Sequence, residues 1–398
     1  MGAFALHTRG ESTRCCRSMS HTHQDLGGIG MIRLSLVLSL VLLAPLSGCL
    51  SQQSAVEDCV VVTGEDDGTL TIITYDILAL SDDMLAEFTN ETGYEINMIR
   101  TDDAGGILET LLLTKEAPQA DIALGLDNTY LHTALDNCLL APHSATIPEL
   151  DPLSLTAYQG DLAVPFDQGY VCLNADTEAL EANNLTFPQT LEELTGEQWK
   201  GRTAFPSPTT SSPGRAFMTA TIDYFERQST MEAMEWWEAM ADNDAIFTSG
   251  WTEAYETHYS GGYGVWGEGH IGDAWLTVSY CHSPGVEAYY GGNYTISKAV
   301  NIDYASFHQI EYAAKVNGGG SASAVDAFIQ FLLSDEVNKN MPENNLMYSV
   351  LEGEDMPETD GYRHHSPIPS NPSEITPERI DSEMEGWLMD WREATQSI

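Results

Sequence analysis

The sequence predicts an α/β protein of two regions, each a mostly parallel sheet flanked by helices, with a ligand cleft between them. Three observations carry this expectation. From Leu70 onward, runs rich in β-branched residues alternate with amphipathic helical stretches, the pattern of βαβ units. A second alternation of the same kind begins near Val164-Pro165-Phe166. At 398 residues and 42% hydrophobic composition, the chain suits one large or two medium domains with buried cores.

The chain begins with an address. From Met31, Arg33 supplies a positive start and residues 34–46 form an apolar run of 13 residues, too short for a permanent membrane span but right for a signal peptide. Leu46-Ser47-Gly48-Cys49 follows and resembles the lipobox of prokaryotic lipoproteins, in which cleavage leaves a lipid-bearing cysteine. Residues 1–30 mix Arg, His, Ser and Gly without periodicity, so Met31 is the expected true start. Residues 31–48 are then the signal and 49–68 a polar tether.

Beyond the tether, residues 70–75 read as a strand. Ser81 caps a helix with Asp82 and Asp83 in its first turn and Met84, Leu85 and Phe88 on one face. Strands are expected over 94–99 and 121–126, with a helix over 106–113 between them. The second region holds the apolar stretch 170–173, a helix near Leu191, and a segment rich in Pro, Ser and Thr over 205–214. Helices over 216–226 and 231–240, a strand over 274–280 and an amphipathic helix over 322–333 follow. The tail has a Pro-rich loop over 357–377 and a helix carrying Trp387 and Trp391 four residues apart.

With 60 acidic against 16 basic side chains, the formal net charge is −44. That field opposes nucleic-acid binding and fits a solubility adaptation to salty surroundings. The 8 Trp, 17 Tyr and 11 Phe exclude a disordered acidic polymer. Of seven cysteines, Cys15 and Cys16 precede the signal and Cys49 takes the lipid. Cys59, Cys138, Cys172 and Cys281 remain, with three possible pairings in an oxidising compartment. The expected bridge is Cys59 to Cys138, both in the first region, which pins the tether. No Cys-x-x-Cys pair supports zinc or thioredoxin chemistry.

Enzyme motifs are missing. None of the five lysines follows a glycine, which removes the phosphate-cradling P-loop, and there is neither His-Glu-x-x-His nor Gly-x-Ser-x-Gly. Gly262-Tyr263-Gly264-Val265-Trp266-Gly267 matches G-x-G-x-x-G, but no strand precedes it and no helix start follows. His364-His365 lies in the Pro-rich loop without clustered ligands. The informative feature is a series of polar-aromatic segments at strand ends: Thr74-Tyr75-Asp76, Asp102-Asp103, Gly125-Leu126-Asp127-Asn128, Pro165-Phe166-Asp167-Gln168-Gly169-Tyr170, Ser211-Ser212-Pro213-Gly214, Gly250-Trp251-Thr252-Glu253-Ala254-Tyr255 and Ser279-Tyr280. Ligands bind beyond the carboxyl ends of strands in open parallel sheets. Aromatic faces with carboxylates suit a flat cation, each ring contributing about 0.5–2 kcal/mol.

In this order, these segments resemble the thiamine-binding proteins of ABC importers, within the type II periplasmic-binding-protein fold. Met347-Tyr348 continues the match, which covers roughly residues 69–395. The resemblance implies a two-lobed clamp that binds thiamine or its phosphates and performs no catalysis, with neither cofactor nor metal. Tyr75 and Trp251 would face the ligand's rings, with Tyr280 in the same cleft. Asp76 and Asp103 would supply carboxylates. Asp127, Asp167 and Tyr255 fall within the matching segments and join the expected ligand-binding set. Ser211, Ser212 and Gly214 would take the hydroxyethyl or phosphate end near a helix N-terminus. Two departures stand out: Leu346 where the family has tryptophan, and Val286 where it has tyrosine.

The resemblance also implies a monomer that docks on a permease served by a separate ATPase. Expected boundaries are 69–164 for the first part of lobe 1, 165–282 for lobe 2, 283–337 for a return to lobe 1, and 338–398 for a C-terminal helical segment on lobe 2. Hinge strands are expected near Val164 and Ser283. Rival readings are an iron(III), polyamine or other organic-cation binder of the same fold, or a secreted hydrolase using Ser211 or Ser212. The lipobox makes a direct prediction: Cys49→Ser should release the protein from membranes or leave its signal uncleaved. A wild-type mature N-terminus well away from Cys49, found by mass spectrometry, would contradict it.

Overall fold

The computed structural model describes residues 59–262, 269–353 and 361–396, all within the unit Gln53–Ile398. Residues 1–58, including the signal stretch and Cys49, and most of the glycine-rich segment 262–267 lie outside the described residues.

The first half runs β1 (Thr69–Tyr75), α1 (Asp82–Thr92), β2 (Glu95–Thr101), α2 (Ala104–Leu113), β3 (Ile122–Asp127) and α3 (Leu131–Asp136). Ser81 caps α1, its side chain accepting from Met84 N, and Gly93 ends the helix at φ 79°. Helix α2 starts two residues before the expected Gly106. Asp103 caps it, and Gly105 and Gly106, poor helix formers, hid that start from the sequence.

The second half contains β4 (Val164–Asp176), α4 (Thr177–Ala182), β5 (Thr203–Pro206), α5 (Ser212–Gln228), α6 (Ala233–Asp242), β6 (Ile246–Thr248), β7 (Leu276–Tyr280), α7 (Ser283–Tyr290) and β8 (Ser297–Val300). Near Leu191 there are two short 3₁₀ turns, Glu192–Thr195 and Glu197–Trp199, with Gly196 between them where one helix was expected. The Pro-Ser-Thr segment is not a loop throughout. It ends β5 and starts α5, where Ser211 caps and Pro213 occupies the first turn. The chain finishes with β9 (Phe307–Lys315), α8 (Ala322–Leu332), α9 (Asp335–Asn338), α10 (Met341–Asn344) and α11 (Pro377–Gln396).

Among the described residues the strands form one sheet in the order β2-β1-β3-β9-β4-β7-β5-β6, with β8 paired to β4. The outer pairs β1–β2, β1–β3, β5–β6 and β5–β7 are parallel. The inner pairs β3–β9, β4–β9, β4–β7 and β4–β8 are antiparallel. Strand β4 explains the mixture, because it belongs to both halves. Its start, Val164 and Phe166, packs in a core with Ile72, Leu124 and Phe328. Its end, Val171, Leu173 and Ala175, packs in another with Phe205, Phe217, Trp236 and Trp237. Strand β9 crosses back, from Phe307 in that second core to Ile310, Tyr312 and Ala314 in a core shared with β3 and α2.

Two expected boundaries therefore move. Ser283 opens helix α7 instead of a hinge strand, and β8 still pairs with the end of β4, so the return passes through β9. Residues Met341, Met347, Val350 and Leu351 pack with the first core, while Ile375 and α11 of the tail join the second. Trp391 meets Trp237 edge-on at 6.0 Å between ring centroids. The indoles of Trp236 and Trp237 donate to Leu191 O (2.8 Å) and Thr221 Oγ1 (3.0 Å), so these large buried rings leave no orphaned N–H.

Residues 59–68 are pinned and do not hang free. Gly64 N donates to Gly319 O at 2.9 Å, Val62 N to Asn317 Oδ1 at 2.8 Å, and Cys59 is bonded to Cys138. Cys172 on β4 is bonded to Cys281 just after β7. The bridges span 79 and 109 residues, loops whose closure nominally stabilises by about 4.5–5 kcal/mol each. Unreduced peptide mapping of the exported protein should recover Cys59–Cys138 and Cys172–Cys281 linkages, and reduction should lower Tm. Either of the other two pairings, or four free thiols, would contradict this.

Candidate functional site

Strand β1 delivers Tyr75 and Asp76 at its carboxyl end. Arg100 on the neighbouring β2 donates to Asp76 O (2.8 Å) and Tyr75 O (3.3 Å), which fixes the turn there. The Tyr75 ring lies against Gly125, where β3 slips register and φ is +104°. A Cβ at Gly125 would sit 2.3 Å from the ring, so both the conformation and the contact require glycine.

The Tyr75 hydroxyl donates to Glu311 Oε2 at 2.9 Å and accepts from Asn345 Nδ2 at 2.9 Å. Glu311 stands opposite Asp167 in the β4–β9 register, beside a bulge in β4. Asn345 also donates to Asp167 Oδ2 (2.7 Å), and Gln309 donates to Glu311 Oε1 (3.0 Å) and to the Tyr280 hydroxyl (2.8 Å). Tyr280 donates in turn to Glu311 Oε1 at 3.4 Å. Burial pushes both carboxyls up, Glu311 further because Asp167 faces it, so the pair retains a proton at neutral pH. Burial likewise raises the Tyr75 and Tyr280 phenols, which stay donors.

Across the cleft, Trp251 precedes a π-helical turn, Glu253–His258. One face of its indole stacks on Tyr255 at 4.7 Å and 14° between planes, and Nε1 donates to Ser279 Oγ at 2.8 Å. The Tyr255 hydroxyl donates to Glu287, whose carboxyl is pushed up to about 7 by burial. Thr252 Oγ1 reaches Asp76 Oδ2 at 3.4 Å. His282 stacks on Tyr280 at 5.2 Å, and its Nε2 is 2.8 Å from Leu346 O. Burial lowers it to about 4, so it is a neutral imidazole.

At the third corner, Asp103 Oδ1 accepts from Ala104 N (2.8 Å) and from Ser212 N (3.1 Å), touching the starts of α2 and α5 together. The Ser212 hydroxyl donates to Asp127, which also accepts from Thr129. Burial pushes Asp103 up to about 6 and raises Asp127.

These groups surround a cavity of about 720 Å³, part of it open to solvent. Tyr75, Asp76, Asp103, Ser212, Trp251 and Tyr280 line it. Five expected residues stand behind the wall. Asp127 holds Ser212, Asp167 pairs with Glu311, and Tyr255 backs Trp251. Ser211 is the buried cap of α5, accepting from Gly214 N. A Cβ on Gly214 would lie 2.3 Å from Pro206 O, so this glycine lets α5 pass close to the end of β5.

Sequence reasoning missed Glu311, Asn345 and His282 on the wall. Glu311 had a signal: an acid inside the otherwise strand-like run Phe307–Lys315, where a buried charge needs a purpose. His282 and Asn345 had none of comparable strength. Leu346 and Val286, the two departures from the resembled family, also line the cavity. His364-His365 falls in a 3₁₀ turn, and among the described residues no group of three His, Cys, Asp or Glu could hold a metal ion.

A model of a family described as bacterial extracellular solute-binding protein matches residues 83–345. The thiamine-binding periplasmic protein of Salmonella typhimurium is 25% identical over 334 residues, which cover 82% of this chain and 93% of that protein. Its counterpart in Escherichia coli has the same identity and coverage. A solved periplasmic thiamin binding protein superposes with a TM-score of 0.67 at 24% identity, covering 84% of this chain and 99% of its own, which shows a shared two-lobed fold.

The Asp167–Glu311 pair sets a pH dependence. Both carboxyls are raised in the folded state, so above about pH 4 the folded protein keeps a proton that the unfolded chain has lost. Stability from this pair therefore falls as pH rises, by at most about 1.4 kcal/mol per pH unit for one full proton. Asp167→Asn mimics the protonated partner and should flatten that slope, gaining Tm relative to wild type at pH 8 but not at pH 4. A difference between the two proteins that does not change with pH in thermal melts would contradict the shared proton.

Proposed function

The chain belongs to the bacterial extracellular solute-binding protein family, and from that membership we propose that it captures thiamine for an ABC importer. One observation carries the ligand class. The cavity wall combines three aromatic side chains, Tyr75, Trp251 and Tyr280, with the carboxyls of Asp76, Asp103 and Glu311. A flat cation gains from both, through ring stacking, cation–π attraction and charge. Thiamine offers an aminopyrimidine and a cationic thiazolium, and the curated relatives are named thiamine-binding proteins.

Capture proceeds by closure. The two halves share β4 and β9, so bending at their crossing opens and shuts the cleft, and ligand favours the shut form. The loaded, closed protein then docks as a monomer on a permease powered by a separate ATPase chain. A lipid on Cys49 holds it at the extracytoplasmic membrane face, with residues 50–58 as the remaining tether.

Two of the rivals, an iron(III) binder and a serine hydrolase, lose support in the geometry. An iron site needs several anionic oxygens or imidazoles on one centre. Tyr255, one candidate, sits behind Trp251 with its hydroxyl on Glu287. A serine hydrolase of the histidine-dependent kind needs an imidazole on its nucleophile, whereas the Ser212 hydroxyl donates to the Asp127 carboxyl, Ser211 caps a helix, and the nearby His282 is paired with Leu346 O.

Trp251→Ala should weaken thiamine binding ten- to hundredfold by isothermal titration of ligand-stripped protein, about 1–3 kcal/mol. Trp251→Phe, which keeps a ring over Tyr255, should retain most of the affinity. Thermal melts of each ligand-free protein separate lost contact from lost fold. No thiamine binding by wild type, or unchanged affinity in a folded Trp251→Ala protein, would overturn the reading.

A further inference from the structure

Resting on the reading of thiamine capture by closure, we infer that Gly105, outside the ligand cavity, is the positioning residue that lets the cleft shut. The seam it makes with the turn before α5 then sets how long a captured ligand stays. Gly105 sits in the first turn of α2, after the cap Asp103. Its φ is not positive, so local conformation does not call for glycine. In a helix, glycine is also a poorer choice than alanine. The reason for it lies across the seam. Gly105 N donates to Thr210 O at 3.0 Å, joining the first half to the second. A Cβ on Gly105 would stand 2.4 Å from that oxygen and 2.8 Å from the Thr210 Cα, which are backbone atoms and not the far end of a flexible side chain.

Thr210 is held where it is. Its N donates to Ser207 O at 3.3 Å and its hydroxyl to Ser249 O at 2.5 Å. From α5, Arg215 braces the same turn, with Nε donating to Pro208 O at 3.0 Å and Nη2 to Thr209 O at 3.4 Å. The same guanidinium lies 3.5 Å over the ring of Tyr130 in the first half. Both side chains are buried, so water screens the attraction between cation and ring only weakly. A braced turn of the second half thus meets the first at the start of α2 and at Tyr130. Ser212 adds a third point, with its N on Asp103 and its hydroxyl on Asp127.

None of Gly105, Thr210, Arg215 and Tyr130 lines the cavity. They act on the ligand through closure alone. Contacts made when the halves meet stabilise the shut form and leave the open form as it is. Their loss therefore speeds opening and ligand escape, while encounter with the open cleft keeps its rate.

The test separates those rates. The exported protein is stripped of ligand, and binding and release of thiamine are followed by stopped-flow tryptophan fluorescence, Trp251 being on the cavity wall. Gly105→Ala should release thiamine about tenfold or more faster than wild type, with association within about threefold. Its ligand-free Tm should not fall, because alanine suits the helix better. X-ray scattering at saturating thiamine should give it a larger radius of gyration than wild type. Arg215→Met keeps a long buried side chain without the cation and should speed release about fivefold or more. Tyr130→Phe keeps the ring face and removes a hydroxyl that has no hydrogen-bond partner, so it should release thiamine as wild type does. Unaltered release by folded Gly105→Ala, or an affinity loss carried by slower association alone, overturns the inference and leaves the thiamine reading intact. Absence of thiamine binding by wild type overturns both. Release by Arg215→Met decides the question if Gly105→Ala does not fold.

Discussion

Asp167 and Glu311 face each other on β4 and β9, the two strands that both halves share, and much of the site follows from keeping that pair buried. A buried carboxyl pair needs donors on every side or it costs several kcal/mol. They come from separate elements: Tyr75 from β1, Tyr280 from β7, Gln309 from β9 itself and Asn345 from the end of α10. These donors reach both Glu311 oxygens and Asp167 Oδ2, leaving Asp167 Oδ1 buried without a hydrogen-bond donor, and they fix the two tyrosine rings on the cavity wall. Gly125 completes the arrangement by yielding the space that the Tyr75 ring occupies.

The two halves meet across the cleft through hydrogen bonds and through the Arg215 guanidinium, which lies 3.5 Å over the Tyr130 ring. Asp103 and Asp127 take Ser212, Gly105 N meets Thr210 O, and Thr252 approaches Asp76. A hydrogen bond of this kind contributes about 1 kcal/mol net. The aromatic cores that give each half its stability, such as the Trp236–Trp237–Trp391 cluster, lie away from that seam.

Charge divides along the same line. Most of the 60 acidic side chains give the chain its net −44 from the surface, where water screens them. A few are buried, and Asp103, Asp127, Asp167, Glu287 and Glu311 gather on or just behind the cavity wall. Burial raises each of these buried carboxyls above its ordinary value.

The sequence by itself determined the alternation of strand and helix, the Ser81 cap, the tryptophan-bearing last helix and the strand-end segments that hold Tyr75, Asp76, Asp103, Ser212, Trp251 and Tyr280. Each of these rests on signals within a few residues: β-branched runs, capping side chains, aromatic spacing. Tertiary structure alone decided the rest. Strand β9 went unread because Gln309 and Glu311 interrupt its apolar pattern, and their polarity makes sense only opposite Asp167, more than 140 positions earlier. That Tyr255 and Asp127 stand behind the wall while Trp251 and Asp103 stand on it depends on how α5, β7 and the π-helical turn pack together. Register and packing between residues far apart in the chain set which of two neighbouring polar groups meets the ligand, and no local pattern carries that information.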